Sequence, residues 1–180
     1  TLATFLLSSL AFFTYLTAAP FVYITWFGVS EIVFGLLFTT TAASLRLANY
    51  INVRYVSRLG SQRMLHLGMS MALLFAIVLT AVTHANLSFH WTVACFFMII
   101  GSLGIISVNA ESLILIDFPN QASSASAVAR TLRFSTGALV GPLLALSYTG
   151  TPIPIAYQVL MAISLVVLLQ CGCHFIARKH

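Results

Sequence analysis

Six stretches of this chain are each apolar over roughly the length a helix needs to cross a bilayer, and that leaves the backbone few ways to fold. Hydrocarbon offers no water to N–H and C=O groups, so a spanning segment must satisfy them within an α-helix or a closed β-barrel. A barrel would show short segments alternating apolar and polar residues, and these runs do not alternate. The pattern predicts helices over about residues 2–24, 31–52, 63–83, 91–116, 122–148 and 153–176. The expected fold class is an all-α membrane protein, a single domain over residues 1–180 with six transmembrane helices. Only 6% of residues are charged and 60% are hydrophobic, where soluble domains carry about 25% charged residues. Six helices also divide into two sets of three, the arrangement used by inverted repeats in transporters.

The basic residues set an expected orientation. Arg54, Arg58 and Arg63 lie in one connection and Arg178 and Lys179 at the end of the chain, whereas the turns near 25–30, 84–90 and 149–152 hold no Lys or Arg. Lys and Arg concentrate on the cytoplasmic side of membrane proteins, so both termini are expected inside. Trp26, Trp91, Tyr148 and Tyr157 then fall at the outer interface, where amphipathic rings are favoured. The net charge of +5 follows from this bias. No aromatic-interleaved basic pattern accompanies it, so nucleic acid is not an expected partner; anionic lipid at the basic surface is. The longest polar connection, residues 52–63, carries Gly60 for a tight turn, Ser30 and Asn120 are acceptable helix starts, and Pro119 and Pro152 punctuate connections.

Catalytic and metal signatures are missing. Cys95, Cys171 and Cys173 read as small apolar fillers, and His66, His84, His90, His174 and His180 are scattered without metal-ligand spacing. With no phosphate-binding glycine loop and no Ser-His-Asp cluster, the chain is expected to be neither an enzyme nor a cofactor protein. The first residue is not Met, which fits a piece of a longer chain.

Charges inside the apolar runs are the functional candidates, because an arginine at the bilayer centre costs about 2.5–3.5 kcal/mol on insertion scales. Arg46 can snorkel towards the headgroups or face a cavity. In "SASAVARTLRFSTGALVGPLL", residues 124–144, Ser126, Arg130, Arg133, Gly137, Gly141 and Leu144 share a helical stripe about 80° wide. Gly137 and Gly141 form a GxxxG spacing that admits another helix closely. Glu111, on the preceding helix, is expected at a depth within about 5 Å of Arg130, so a pair between Glu111 and Arg130 or Arg133 is expected, with Asp117 nearer the surface. That pair can be a static packing element. Alternatively Asn109, Glu111, Arg130 and Arg133 ring the inner half of a water-filled path, an arginine there being suited to an anionic group. The first predicted helix brings aromatic rings around Pro20, where a kink is expected. Tyr15, Thr17, Phe21 and Tyr23 are its candidate pathway residues, since buried hydroxyls need partners.

Three segments carry a resemblance: "AAPFVYITWFGVSEIVFGLLF", "NVRYVSRLGSQRML" and "DFPNQASSASAVARTLRFSTGALVG". In order and spacing they resemble the C-terminal half of the Bcr/CflA drug-resistance branch of the major facilitator superfamily, over nearly the whole chain. The resemblance implies one six-helix half of an inner-membrane exporter of small lipophilic drugs or metabolites. Such exporters work by proton antiport and alternating access, with the proton gradient as energy source and an N-terminal six-helix half as partner. It also makes residues 53–63 a weakened copy of the superfamily's basic loop, with Arg58 and Gly60 in place and Ser57 where an aspartate is usual. Arg133 fits the branch pattern; Arg130 and Arg46 replace small or apolar residues. A transport-inactive degenerate half, kept only as a membrane structural protein, is the alternative those departures suggest.

Overall fold

The computed structural model describes residues 2–86, 88–146 and 153–177. The expected helix end at 148, Tyr148, the turn at 149–152 with Pro152, and Arg178, Lys179 and His180 lie outside the described residues. The side chains of Cys171, Cys173 and His174 do so too. Six α-helices make up the described chain: α1 (Leu2–Pro20), α2 (Glu31–Leu59), α3 (Ser61–His84), α4 (Phe89–Asp117), α5 (Ala122–Leu146) and α6 (Ile153–Ala177). Five meet the length and hydropathy needed to cross a membrane, α1 together with its extension to Trp26. The exception is α5, which carries Arg130 and Arg133 between its apolar residues. It enters the bundle by packing on α1 and α4.

The punctuation residues act locally as their chemistry dictates. Pro20 has no N–H to donate, and its ring crowds the preceding turn. The expected kink takes the form of a π-helical turn over Phe21–Trp26, closed by Val29 N–H donating to Tyr23 O at 3.0 Å around Gly28 at φ +65°. The Ser30 hydroxyl caps α2 by accepting from Val33 N–H, with Glu31 in the first turn, where a negative charge complements the helix dipole.

The polar connection expected over 52–63 is not a loop. Helix α2 runs on through Arg54 and Arg58 to Leu59, and α3 starts at Ser61 with Arg63 in its first turn, so Gly60 alone joins them. Its φ of +81° and ψ of 154° fall in a region that essentially only glycine occupies. Good helix formers on both sides of one permissive residue leave nothing to make a loop from. Arg54, Arg58 and Arg63 are all exposed, and Arg54 reaches back to the Tyr50 hydroxyl at 3.3 Å.

Contacts between helix ends show the up-and-down arrangement. The His84 imidazole meets the Tyr157 hydroxyl at 2.7 Å, and Phe27 packs edge-on to Phe89 at 5.3 Å, gathering the ends of α1 and α3 with the starts of α4 and α6. At the opposite end Thr4 donates to Gln170 at 3.0 Å. Trp26, Trp91 and Tyr157 are exposed near the first of these ends.

Helix α4 is the centre of the bundle and packs on α1, α2, α3 and α5. Its Ile99, Ile100, Leu103, Ile106 and Ala110 are buried in one core cluster with Leu65, Met69, Ala72, Ala76 and Leu79 of α3, on which α4 packs, and Val159, Ile163 and Val166 of α6, which packs on α1 and α3. Little hydrophobic drive joins helices in lipid, so close approach through small residues and interhelical hydrogen bonds must do it. A Cβ added at Gly101 would lie 2.8 Å from Ser44 Oγ, one at Gly104 2.9 Å from Leu45, and one at Gly68 3.0 Å from Ile106. Ser44 donates to Phe97 O at 2.5 Å and Asn109 donates to Asn52 Oδ1 at 2.6 Å, so Ser44, Ala48 and Asn52, four residues apart along α2, form one seam against α4.

Of the glycines expected to pack helices, Gly137 does: a Cβ there would meet the Phe13 ring at 2.8 Å. Gly141 does not, having nothing within 4 Å, because the described part of α5 leans on α1 at one glycine and exposes the next. Gly101→Ala should therefore lower the thermal stability of the detergent-solubilised protein by about 1–3 kcal/mol, the usual cost of overpacking. Gly141→Ala should leave the melting transition unchanged or raise it.

Candidate functional site

Four helices converge on a cavity of about 180 Å³. Ser8, Ser9 and Phe12 of α1, Leu45 and Asn49 of α2, Leu103, Gly104, Ser107 and Val108 of α4 and Arg133 of α5 line it. The cavity exists because the facing residues are small: Gly104 and Ser107 on α4 leave room that Leu or Phe would fill. The Ser8 and Ser9 hydroxyls donate to Phe5 O at 2.9 and 2.7 Å, which satisfies their protons and leaves their oxygens as acceptors. No acidic residue lines the cavity.

Arg133 is half-buried, and its placement answers the cost of a guanidinium at this depth. Its Nη1 donates to Ser107 Oγ at 2.9 Å, and its charge lies over the rings of Phe5 at 5.4 Å and Phe12 at 5.7 Å, within the range of cation–π attraction. Among the described residues it has no carboxylate partner.

The acid has gone to the other arginine. Glu111 Oε1 accepts from Arg130 Nε at 2.9 Å and from Ser126 Oγ at 3.2 Å, which bridges α4 to α5. Of the two expected pairings, that with Arg130 forms. The Arg130 side chain is 65% exposed and that of Glu111 21%. The expected stripe is thus split: α5 turns Ala129, Arg133 and Val140 inward, and Arg130 stands on its flank rather than within the packed face.

This architecture has relatives. The chain is 30% identical over 148 residues to a bicyclomycin resistance protein homolog of Haemophilus influenzae, a match covering 81% of this chain and 36% of that protein. This similarity bears out the resemblance to the major facilitator superfamily and its Bcr/CflA branch. The chain is also 26% identical over 142 residues to an uncharacterized MFS-type transporter, YdgK, of Bacillus subtilis, covering 79% of this chain and 35% of that protein. The chain spans about a third of the length of these curated relatives. No family model matches, and no solved structure matches.

Arg133 alone of the pathway residues expected from sequence lines this cavity. Asn109 does not join the arginines. It is buried on the opposite side of α4 from Glu111, held by Asn52 and by Ile105 O at 2.8 Å, since two residues along a helix rotate a side chain by about 200°. Tyr15 and Tyr23 are buried and do not line this cavity. The Tyr15 hydroxyl shares a 2.6 Å hydrogen bond with Thr41, its ring packs 4.9 Å from Phe96, and Tyr23 sits among Phe34, Phe89 and Phe96. Thr17 is exposed and Phe21 half-buried, neither of them on the cavity. Arg46 is exposed on α2. Ser107, Asn49 and the two serines of α1 were not singled out by sequence reasoning. Their only signal is their phase: Ser8 lies four residues before Phe12, and Ser107 three residues after Gly104.

A double-mutant cycle on Glu111→Gln and Arg130→Gln should give a coupling of about 1 kcal/mol or less, the range for an ion pair with one wetted member. Chemical denaturation of the protein in mixed micelles reads it.

Proposed function

We propose that this chain supplies the C-terminal six-helix half of an exporter of small lipophilic drugs or metabolites. It works by alternating access in the bacterial inner membrane, with Arg133 and its cavity on the substrate path. The observation that carries the reading is a charged side chain held at membrane depth beside an open cavity, in a chain whose relative is a bicyclomycin resistance protein homolog. An intramembrane ion that lines a cavity marks a substrate or ion route. Helix α2, with few buried residues beyond its α4 seam, leaves the side that holds Asn49 open to a second set of helices. The relatives' greater length has room for such a set.

Coupling to protons is part of the proposal. Glu111 is already engaged by Arg130 and Ser126. The exchanging acid therefore belongs to the companion half, and energy enters as a proton gradient. The arginine-rich end, with Arg54, Arg58 and Arg63, faces the cytoplasm, as do both ends of the six-helix segment, and contacts anionic headgroups.

Cells lacking their main efflux pumps, expressing the protein from its complete gene, should accumulate less of a lipophilic drug than cells with empty vector, and a protonophore should abolish the difference. Unchanged accumulation across a broad panel would overturn export. Arg133→Ala should cut the efflux rate at least about tenfold, the effect of losing one charge-assisted contact, while folded yield by size-exclusion chromatography falls far less. Equal loss of both would make Arg133 a packing residue.

A further inference from the structure

We infer that the Arg133 cavity selects amphiphilic organic anions, seating a planar carboxylate on the guanidinium while the apolar body of the compound lies outside it. This rests on the transport reading above and names the substrate class of that site. The first support is charge. A guanidinium has five N–H donors, and among the described residues the side-chain acceptor that Arg133 meets is Ser107 Oγ. The nearby carboxylate, Glu111, is engaged by Arg130 and Ser126, and no lining residue is acidic. The site therefore presents a guanidinium that no carboxylate contacts directly among the described residues, where an oxyanion gains from a charge-assisted, two-pronged hydrogen bond.

The second support is shape. Phe5 and Phe12 cover the guanidinium with their rings, and the lining sets Leu45, Leu103 and Val108 beside uncharged polar residues, so one charge sits in a wall that is part apolar and part hydroxyl. The cavity, about 180 Å³, is smaller than the roughly 300–1,000 Å³ that holds a whole drug-sized ligand. It accommodates a head group and leaves the remainder of the molecule to the open side. Asn49, exposed beside it and with no hydrogen-bond partner among the described residues, supplies a second donor for the carboxylate from the α2 side.

The test uses the full protein in liposomes and a matched pair of probes, 2-naphthoate and its neutral amide 2-naphthamide, with binding read by fluorescence. Wild type should bind the carboxylate at least about tenfold tighter than the amide, one charge-assisted contact. Arg133→Gln should abolish that preference, Arg133→Lys should keep part of it, and Arg58→Gln, exposed near the end of α2 and outside the cavity, should keep it whole. Equal affinity of wild type for the two probes would overturn the proposal without need of any variant, and so would a preference that survives in folded Arg133→Gln. Transport of a neutral lipophilic dye by the same liposomes under a proton gradient is scored separately. Dye transport with no carboxylate preference sinks the anion selectivity alone, whereas absence of both sinks the export reading with it.

Discussion

The bundle is organised around keeping two guanidinium groups out of hydrocarbon. Helix α5, long enough at 25 residues, is the one helix of the six whose described residues are not apolar enough to count as a spanning segment, and it gains its place from neighbours. Glu111 and Ser126 take Arg130; Ser107, Phe5 and Phe12 take Arg133. These partners come from α1, α4 and α5 itself, and they differ in kind. Arg130 is in contact with a carboxylate, whereas Arg133 is contacted by one hydroxyl and two ring faces. That asymmetry separates a helix-packing arginine from one available to a ligand, although the two stand three residues apart.

The remaining helices are held by closeness rather than charge. Gly68, Gly101 and Gly104 let α4 approach its neighbours to distances that a methyl group would forbid, and the Ser44 and Asn52 hydrogen bonds fix α2 along the same seam. Interhelical hydrogen bonds of this sort contribute about 0.6–2 kcal/mol each in membranes. They set register more than they set stability, since a slip of one residue would strand two buried amides.

Much of this was legible from the residues. Apolar run lengths placed all six helices to within a few residues at most ends, and the count from the Pro119 turn brought Glu111 to Arg130. The clearest boundary error was the end of α2, where charge was read as a loop; Arg54 and Arg58 are good helix formers, and only Gly60 breaks the backbone. A helical wheel put Arg130 and Arg133 on one stripe but could not say where the stripe's edge falls, because that depends on the angle at which α1 and α4 meet α5. Asn109 was misplaced for a related reason. Depth along α4 was right, but its phase turns it towards Asn52. The tyrosines of α1 were read as wall residues from their hydroxyls, yet Thr41 supplies Tyr15 with a partner inside the core. The cavity itself was invisible, since its space is left by small residues on α1 and α4 where they face α2 and α5, and these four helices have no sequence relation to one another.

The single-residue joint at Gly60 makes α2 a lever. At 1.5 Å per residue its 29 residues reach about 43 Å, so a swing of about 10° at the pivot carries the far end through about 7 Å. Two clamps to α4 oppose that swing, at Asn52 and at Ser44, about 12 Å apart along the axis. Opening the outer clamp alone turns the inner one into a fulcrum and bends the arm. With both open, the buried Tyr15–Thr41 hydrogen bond to α1 still holds the arm nearer its far end.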